Sequence, residues 1–380
     1  MNSITLGIFT FAFLGTSCIS AQKQVGKTDS KVEATHQHGL DKTAPHTTDV
    51  AIQSNPEPHL TNLRQLTFGG DNAEAYFSFD NKSIVFQSNN KQWGVECDQI
   101  FYSKIDELNQ HSGKPAMLST GLGRTTCSYF MPGDSTMLYA STHLGAKECP
   151  PSPETNGAYL WPIYNTFDIF VSDKSGKIIK QLTSEPGYDA EATVSPDGKS
   201  IVFTSTRSGD LELWIMDIDG KNPRQITNGL GYDGGAFFSP DSKKLVFRAS
   251  RPTTTEEIET YKNYLSKNLV APTNMEIYTV NVDGTDLKQI TKLGKANWAP
   301  FFLPSSKKII FSSNHKSDRG YNFQLYTIDT NGENLELITN NSIFNAFPMF
   351  SPDGRKLIFS SNRNNGGTRD TNLFIADWVD

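Results

Sequence analysis

The sequence is short of most features that would announce a chemistry. Only four cysteines occur in 380 residues, at Cys18, Cys97, Cys127 and Cys149, and they show no close metal-ligand spacing. A zinc ribbon or a dithiol redox motif is therefore not encoded. The formal net charge is −6 and no basic stripe interrupts it, which argues against a nucleic-acid surface. No G-x-S-x-G elbow, H-E-x-x-H pair or phosphate-binding loop follows the first apolar run. The common nucleophile, zinc-hydrolase and nucleotide sites are thus missing. What is present is 24 Phe and 13 Tyr, set among Ser, Asn, Asp and Gly in short apolar runs broken by turn residues. That texture is the one expected of an all-β protein.

The chain opens MNSITLGIFTFAFLGTSCISAQ. This run has the length of a signal h-region and is too short for a membrane span, although no Lys or Arg precedes it. Two processing routes are open. Residues 1–21 could be removed after Ala21, or residues 1–17 removed and Cys18 lipidated within LGTSC, giving a lipid anchor as the sole membrane link. Either route places the protein in the periplasm or at the cell surface. Residues 22–61 are polar with mixed charge and read as a flexible tether. The tether carries His36, His38, His46 and His59, and its HQH run could bind a transition metal, although scattered histidines in such a tract more often bind nothing specific.

From residue 62 one phrase recurs six times: YFSFDNKSIVFQS from Tyr76, YFMPGDSTMLYAS from Tyr129, TVSPDGKSIVFTS from Thr193, FFSPDSKKLVFRAS from Phe237, FFLPSSKKIIFSS from Phe301 and MFSPDGRKLIFSS from Met349. A strand ends at Ser, Pro-Asp-Gly sets a tight turn, and a three-residue apolar run forms the next, fully buried strand. A third strand follows, as in LWIMDIDG, and in five copies a fourth ending in a Leu/Ile-Thr pair such as RQIT. Four antiparallel strands repeated six times predict a six-bladed β-propeller over residues 62–380. The sixth copy lacks its fourth strand, and NLRQLT at 62–67 has no first three. The N-terminal strand is therefore expected to complete the last blade and close the ring, removing open edges.

The phrase SPDGKxIVFTSxR, with its DG turn and RQIT, resembles the repeats of the TolB-like propellers of the bacterial envelope. The resemblance covers residues 62–380. It implies the fold and an envelope role, but this repeat also occurs in saccharide lyases and in propellers attached to peptidases. The family's namesake has an α/β domain before its propeller, where this chain has only the tether.

Connections between second and third strands lie on one face with those between blades; the Pro-Asp-Gly turns lie on the other. From the end of the second strand into the third, the third copy takes eight positions (Ser205 to Leu213), whereas the second (Ser141 to Ile169) and fourth (Ala249 to Ile277) take 28. Insertions gathered on one face mark it as the binding side, or else they cover the channel mouth. The fourth-copy insertion spaces Ile258, Tyr261, Leu265 and Leu269 as an amphipathic helix would. In the second, Tyr159, Trp161 and Tyr164 could grip a sugar or peptide or pack on the blades. A small loop near His111 is the one addition on the opposite face.

Repetition separates architecture from exception. Asn72, Thr125, Asp189, Asp233, Asn297 and Asn345 share a register before the first strand. They suit backbone bonding, or a ring of oxygens that could hold a cation. No other cofactor is expected. Two positions on stand Glu74, Cys127, Glu191, Gly235, Ala299 and Phe347. That variety makes Glu74 and Glu191 candidates for ligand binding or acid/base work. After the second strand, His143 and His315 replace the Arg found in three other copies, as a ligand, a base or a polar plug. Two of Cys97, Cys127 and Cys149 are expected to form a disulfide in an oxidising compartment.

The expected function is a non-catalytic, exported, monomeric module that recognises a protein or peptide partner at the insertion face. The rival is a saccharide lyase or hydrolase using Glu74, Glu191, His143 or His315. A third reading is a propeller that gates a separate peptidase.

Overall fold

A computed structural model describes residues 56–108, 113–155, 157–318 and 320–380. The signal segment, Cys18, His36, His38, His46 and the loop at His111 lie outside them.

The apolar triplets become the second strand of each blade. Ile84 to Phe86, Ile201 to Phe203, Leu245 to Phe247, Ile309 to Phe311 and Leu357 to Phe359 are all fully buried. A strand covered on both faces needs a neighbour on each side, and six blades arranged in a ring supply both. The sheets are six four-stranded antiparallel units. In blade 3 they run Asp189–Val194, Ser200–Ser205, Glu212–Asp217 and Arg224–Gln225, from the channel outward. Blade 6 takes its fourth strand, Leu60–Gln65, from the other end of the chain, paired antiparallel to Asn372–Trp378. The ring is closed as the incomplete sixth copy requires.

The clasp reaches further back than the strand. Glu57 accepts hydrogen bonds from Arg363 (3.0 Å) and from the Asn340 and Asn341 backbone (2.8 and 3.2 Å), joining blades 5 and 6. His59 stacks on Trp378 at 4.9 Å and bonds Glu336 at 2.9 Å. This histidine, grouped with the tether by composition, is held by the ring.

The threonine of the recurrent Leu/Ile-Thr pair has a mechanical task. Its hydroxyl accepts the backbone N–H of the neighbouring third strand in Thr67, Thr183, Thr227, Thr291 and Thr339, and Ser119 does the same in blade 1, all at 2.8 to 3.0 Å. The same hydroxyl donates to the side chain that opens that strand, as Thr227 does to Glu212. One residue thus clips the outer edge of the blade, where regular pairing is only two residues long in four blades.

Each first strand is broken by a bulge, with a register shift in all six blades. The residues at it are Glu74, Cys127, Glu191, Gly235, Ala299 and Phe347, at φ between 43° and 60°. This register looked variable by side chain, yet its left-handed backbone is the same in every blade. Five non-glycine residues in that conformation require a surrounding structure that enforces it.

Candidate functional site

The propeller has two mouths, and they differ. On the insertion face the two long insertions meet: Val270 pairs with Trp161 and Leu269 with Pro162, in a small sheet of their own. A helix, Thr255–Leu265, precedes the second of these strands and starts at a capping box of Thr254 and Glu257. The expected amphipathic helix is thus present, with Tyr261 buried. Trp161 is 2% exposed and lies 5.2 Å from Trp298, which stacks on Phe323 at 4.2 Å. Together with Tyr232 and Phe344 these rings form an apolar cluster over the heads of the first strands. The two insertions thus pair with each other and, through Trp161, pack on blades 4 and 5. Tyr159 remains 40% exposed above the cap, accepting the Trp161 indole N–H at 3.1 Å, and Tyr164 donates to the Pro151 carbonyl.

Under the cap, Glu191 is part of a closed network. Its Oε1 accepts from the Tyr232 hydroxyl and Arg248 (2.5 Å each), and its Oε2 from Thr204 (2.7 Å) and the Gly235 backbone (2.8 Å). Arg248 crosses the place where a side chain at 235 would be, since a Cβ there would meet its Nη1 at 1.9 Å. Its guanidinium also lies over Trp161 and Tyr232, at 5.3 and 5.1 Å. The glycine of this register is required by a neighbour. Glu74 is buried in the equivalent place of blade 1.

His143 and His315 take over the bonds of the arginines they replace. Arg207 and Arg363 bond Ser205 and Ser361 through Nε, at 2.9 and 3.1 Å, and lie over the Phe203 and Phe359 rings. His143 and His315 bond Ser141 and Ser313 through Nδ1, at 2.9 and 2.8 Å, and lie against Phe170 and Tyr326. Burial holds both imidazoles below the ordinary histidine range.

The Asx register is engaged with its neighbours. Asp189 accepts from Arg207 (2.7 Å) and Asp233 from Arg251 (2.5 Å), while burial raises both carboxyls. Among the described residues no group of three or more His, Cys, Asp or Glu side chains is placed to hold a metal ion. Cys97 and Cys149 form the disulfide, with Cα atoms 6.0 Å apart, tying the blade 1 loop to the cap. Cys127 takes no part in it and is buried at the blade 2 bulge.

The opposite mouth lies where the tight turns between first and second strands come together. There a cavity of about 180 Å³ is lined by all six blades, through Phe77, Tyr129, Val194, Phe237, Phe301 and Met349 among others. Its rim is set by prolines of the turns: Pro196, Pro240, Pro304 and Pro352. Tyr76, Tyr129, Phe237 and Phe301 meet across the axis at 5.2 to 6.4 Å and form an apolar cluster there. The rim is stiff because the turns interlock. Asp134 of blade 2 accepts the Phe79 and Asp80 backbone of blade 1 (2.8 and 3.0 Å), and Asn81 of blade 1 accepts Asp353 of blade 6 (3.0 Å). A signal for this site was present in the register of Tyr76, Tyr129, Thr193, Phe237, Phe301 and Met349, five of them large and apolar.

Six four-stranded blades closed by an N-terminal strand define a six-bladed β-propeller, with the insertions packed on one face and an apolar cavity on the other. In fold and in part of its sequence the propeller is similar to TolB propellers. The TolB beta propeller domain family matches residues 263–375. Over 44 residues the chain is 43% identical to the Tol-Pal system protein TolB of Bordetella pertussis, covering 12% of this chain and 10% of that protein. The match therefore spans about a tenth of the curated relatives' length. A solved structure of a candidate TolB from Agrobacterium tumefaciens superposes with a TM-score of 0.53 at 19% identity, over 82% of this chain and 91% of that one. TolB from Acinetobacter baumannii gives 0.49 at 19% identity, over 81% and 63%.

Proposed function

We propose that the protein is an exported, non-catalytic recognition module of the bacterial envelope that binds a protein partner at its open, turn-lined mouth. The observation that carries this is the apolar cavity contributed by all six blades. Exposed apolar concavities on rigid scaffolds are where partners insert an anchoring side chain. The insertion face supports binding less well, because its aromatic residues are largely spent on the cap. Glu191, the best acid/base candidate there, has both oxygens engaged. The partner presents an extended segment with at least one large apolar side chain, which the ring of Phe237, Phe301 and Met349 accepts. Export through the first 21 residues, or anchoring through Cys18, belongs to the same proposal. A Phe237→Glu variant places a charge in the cavity wall and is expected to abolish partner capture from crosslinked envelopes. A Tyr159→Ala variant, on the cap, is expected to leave capture intact. The reverse pattern would move the site to the insertion face.

A further inference from the structure

At three seams between blades, the side chain that opens one third strand accepts a hydrogen bond from the side chain that heads the next first strand. Between blades 5 and 6 the Asn345 amide donates to Gln324 Oε1 at 2.7 Å. Between blades 4 and 5 the Asn297 amide donates to Glu276 Oε2 at 3.2 Å, and between blades 6 and 1 the Asn72 amide donates to Asn372 Oδ1 at 3.3 Å. Each of these seams has an N–H to give. The seam between blades 3 and 4 pairs Glu212 with Asp233, and neither carries one. Both are buried, at 2% and 0% exposure.

The groups that face this pair leave a charge unbalanced. From blade 3, Thr227 and the Gly229 backbone donate to Glu212, at 2.5 and 2.8 Å. From blade 4, Arg251 donates to Asp233 Oδ1 at 2.5 Å and lies over Tyr278. From the blade 3 loop and the cap helix come Asp210 and Tyr261, the tyrosine donating to the aspartate. Arg251 is thus the one cation bonded to the pair, through Asp233, whose Oδ2 is buried without a hydrogen-bond partner. Two acids brought together out of water cannot both ionise cheaply, whereas one proton between them satisfies both.

We propose that Glu212 and Asp233 share a proton that staples blade 3 to blade 4, so that the seam beneath the cap loosens when the proton is lost. Burial, with the Asp233 charge adding to it, pushes the Glu212 carboxyl up to about 7 from 4.5. The folded protein therefore keeps a proton that the unfolded chain has released. Stability from this source is complete below about pH 4.5 and falls as pH rises through about 7. Asp168 and Asp189, at the seam between blades 2 and 3, are both acids too, but there Asp168 is only partly buried and keeps contact with water.

Asp233→Asn gives this seam the pairing found between blades 4 and 5. It leaves an oxygen for Arg251, as Asn345 leaves one for Arg363 at 3.0 Å. The test is the midpoint of thermal unfolding from pH 5 to pH 9 for the wild-type chain, Asp233→Asn and Glu212→Gln. The wild type is expected to lose several degrees relative to Asp233→Asn as pH rises from 5 to 8. Parallel profiles would overturn the proposal. Should Asp233→Asn fail to fold, infrared difference spectra at pH 6 between wild type and Glu212→Gln decide: a protonated-carboxyl stretch unique to the wild type supports the shared proton, and identical spectra in that region overturn it.

Discussion

His143 and His315 stand where three other copies carry arginine, and they make the arginine's bonds to a serine hydroxyl and its contact with a ring. Their burial depresses both imidazole pKa values, so as pH falls below the ordinary 6.5 the unfolded chain takes up protons that the folded one refuses. Stability should therefore drop on acidification, and a His143→Gln/His315→Gln double variant should show a flatter urea-unfolding profile between pH 5 and pH 7. Glu191 gives a second prediction at this scale. Removing Arg248 leaves a buried carboxylate without its cation, so Arg248→Met should cost roughly 3 kcal/mol in denaturant unfolding, as breaking a buried pair does. The sequence showed that these residues were exceptions to the repeat. It could not show what surrounded them, because Tyr232, Gly235 and Arg248, which bond Glu191, come from blade 4, and Trp161, beneath the Arg248 guanidinium, from an insertion in blade 2.

Strands and turns were legible because each is set by local chemistry repeated six times: a buried triplet, a tight polar turn, a closing hydroxyl. The threonine clip allows a test at the level of the element. Thr291→Val keeps the shape but removes the hydroxyl that holds the Ile277 N–H and donates to Glu276; a loss of about 1 to 3 kcal/mol is expected from the orphaned groups. The insertions were legible as insertions only. Their length marked them, and the amphipathic spacing marked the helix, but the pairing of Trp161 with Val270 joins segments of different blades and leaves no local trace. The Cys97–Cys149 bond, spanning a separation of 52 residues, fixes one end of this cap. Replacing both cysteines by serine should cost roughly 2 to 4 kcal/mol, measured as a lower midpoint in denaturant.

For the whole molecule, ring closure was readable from two incomplete copies whose missing parts complement each other. The face carrying the insertions was readable from their lengths, but the cavity on the other face was not, since it is assembled from one to four residues of each blade. The proposed docking site is the cavity at the turn-lined mouth, lined by side chains from every blade. That is the central claim, and photo-crosslinking in intact cells tests it most directly. A photoreactive residue is placed in turn at Lys199, beside the open mouth, and at Tyr159, on the cap. A discrete crosslinked protein obtained from position 199 and not from 159 is the predicted result; crosslinks from 159 alone would contradict it.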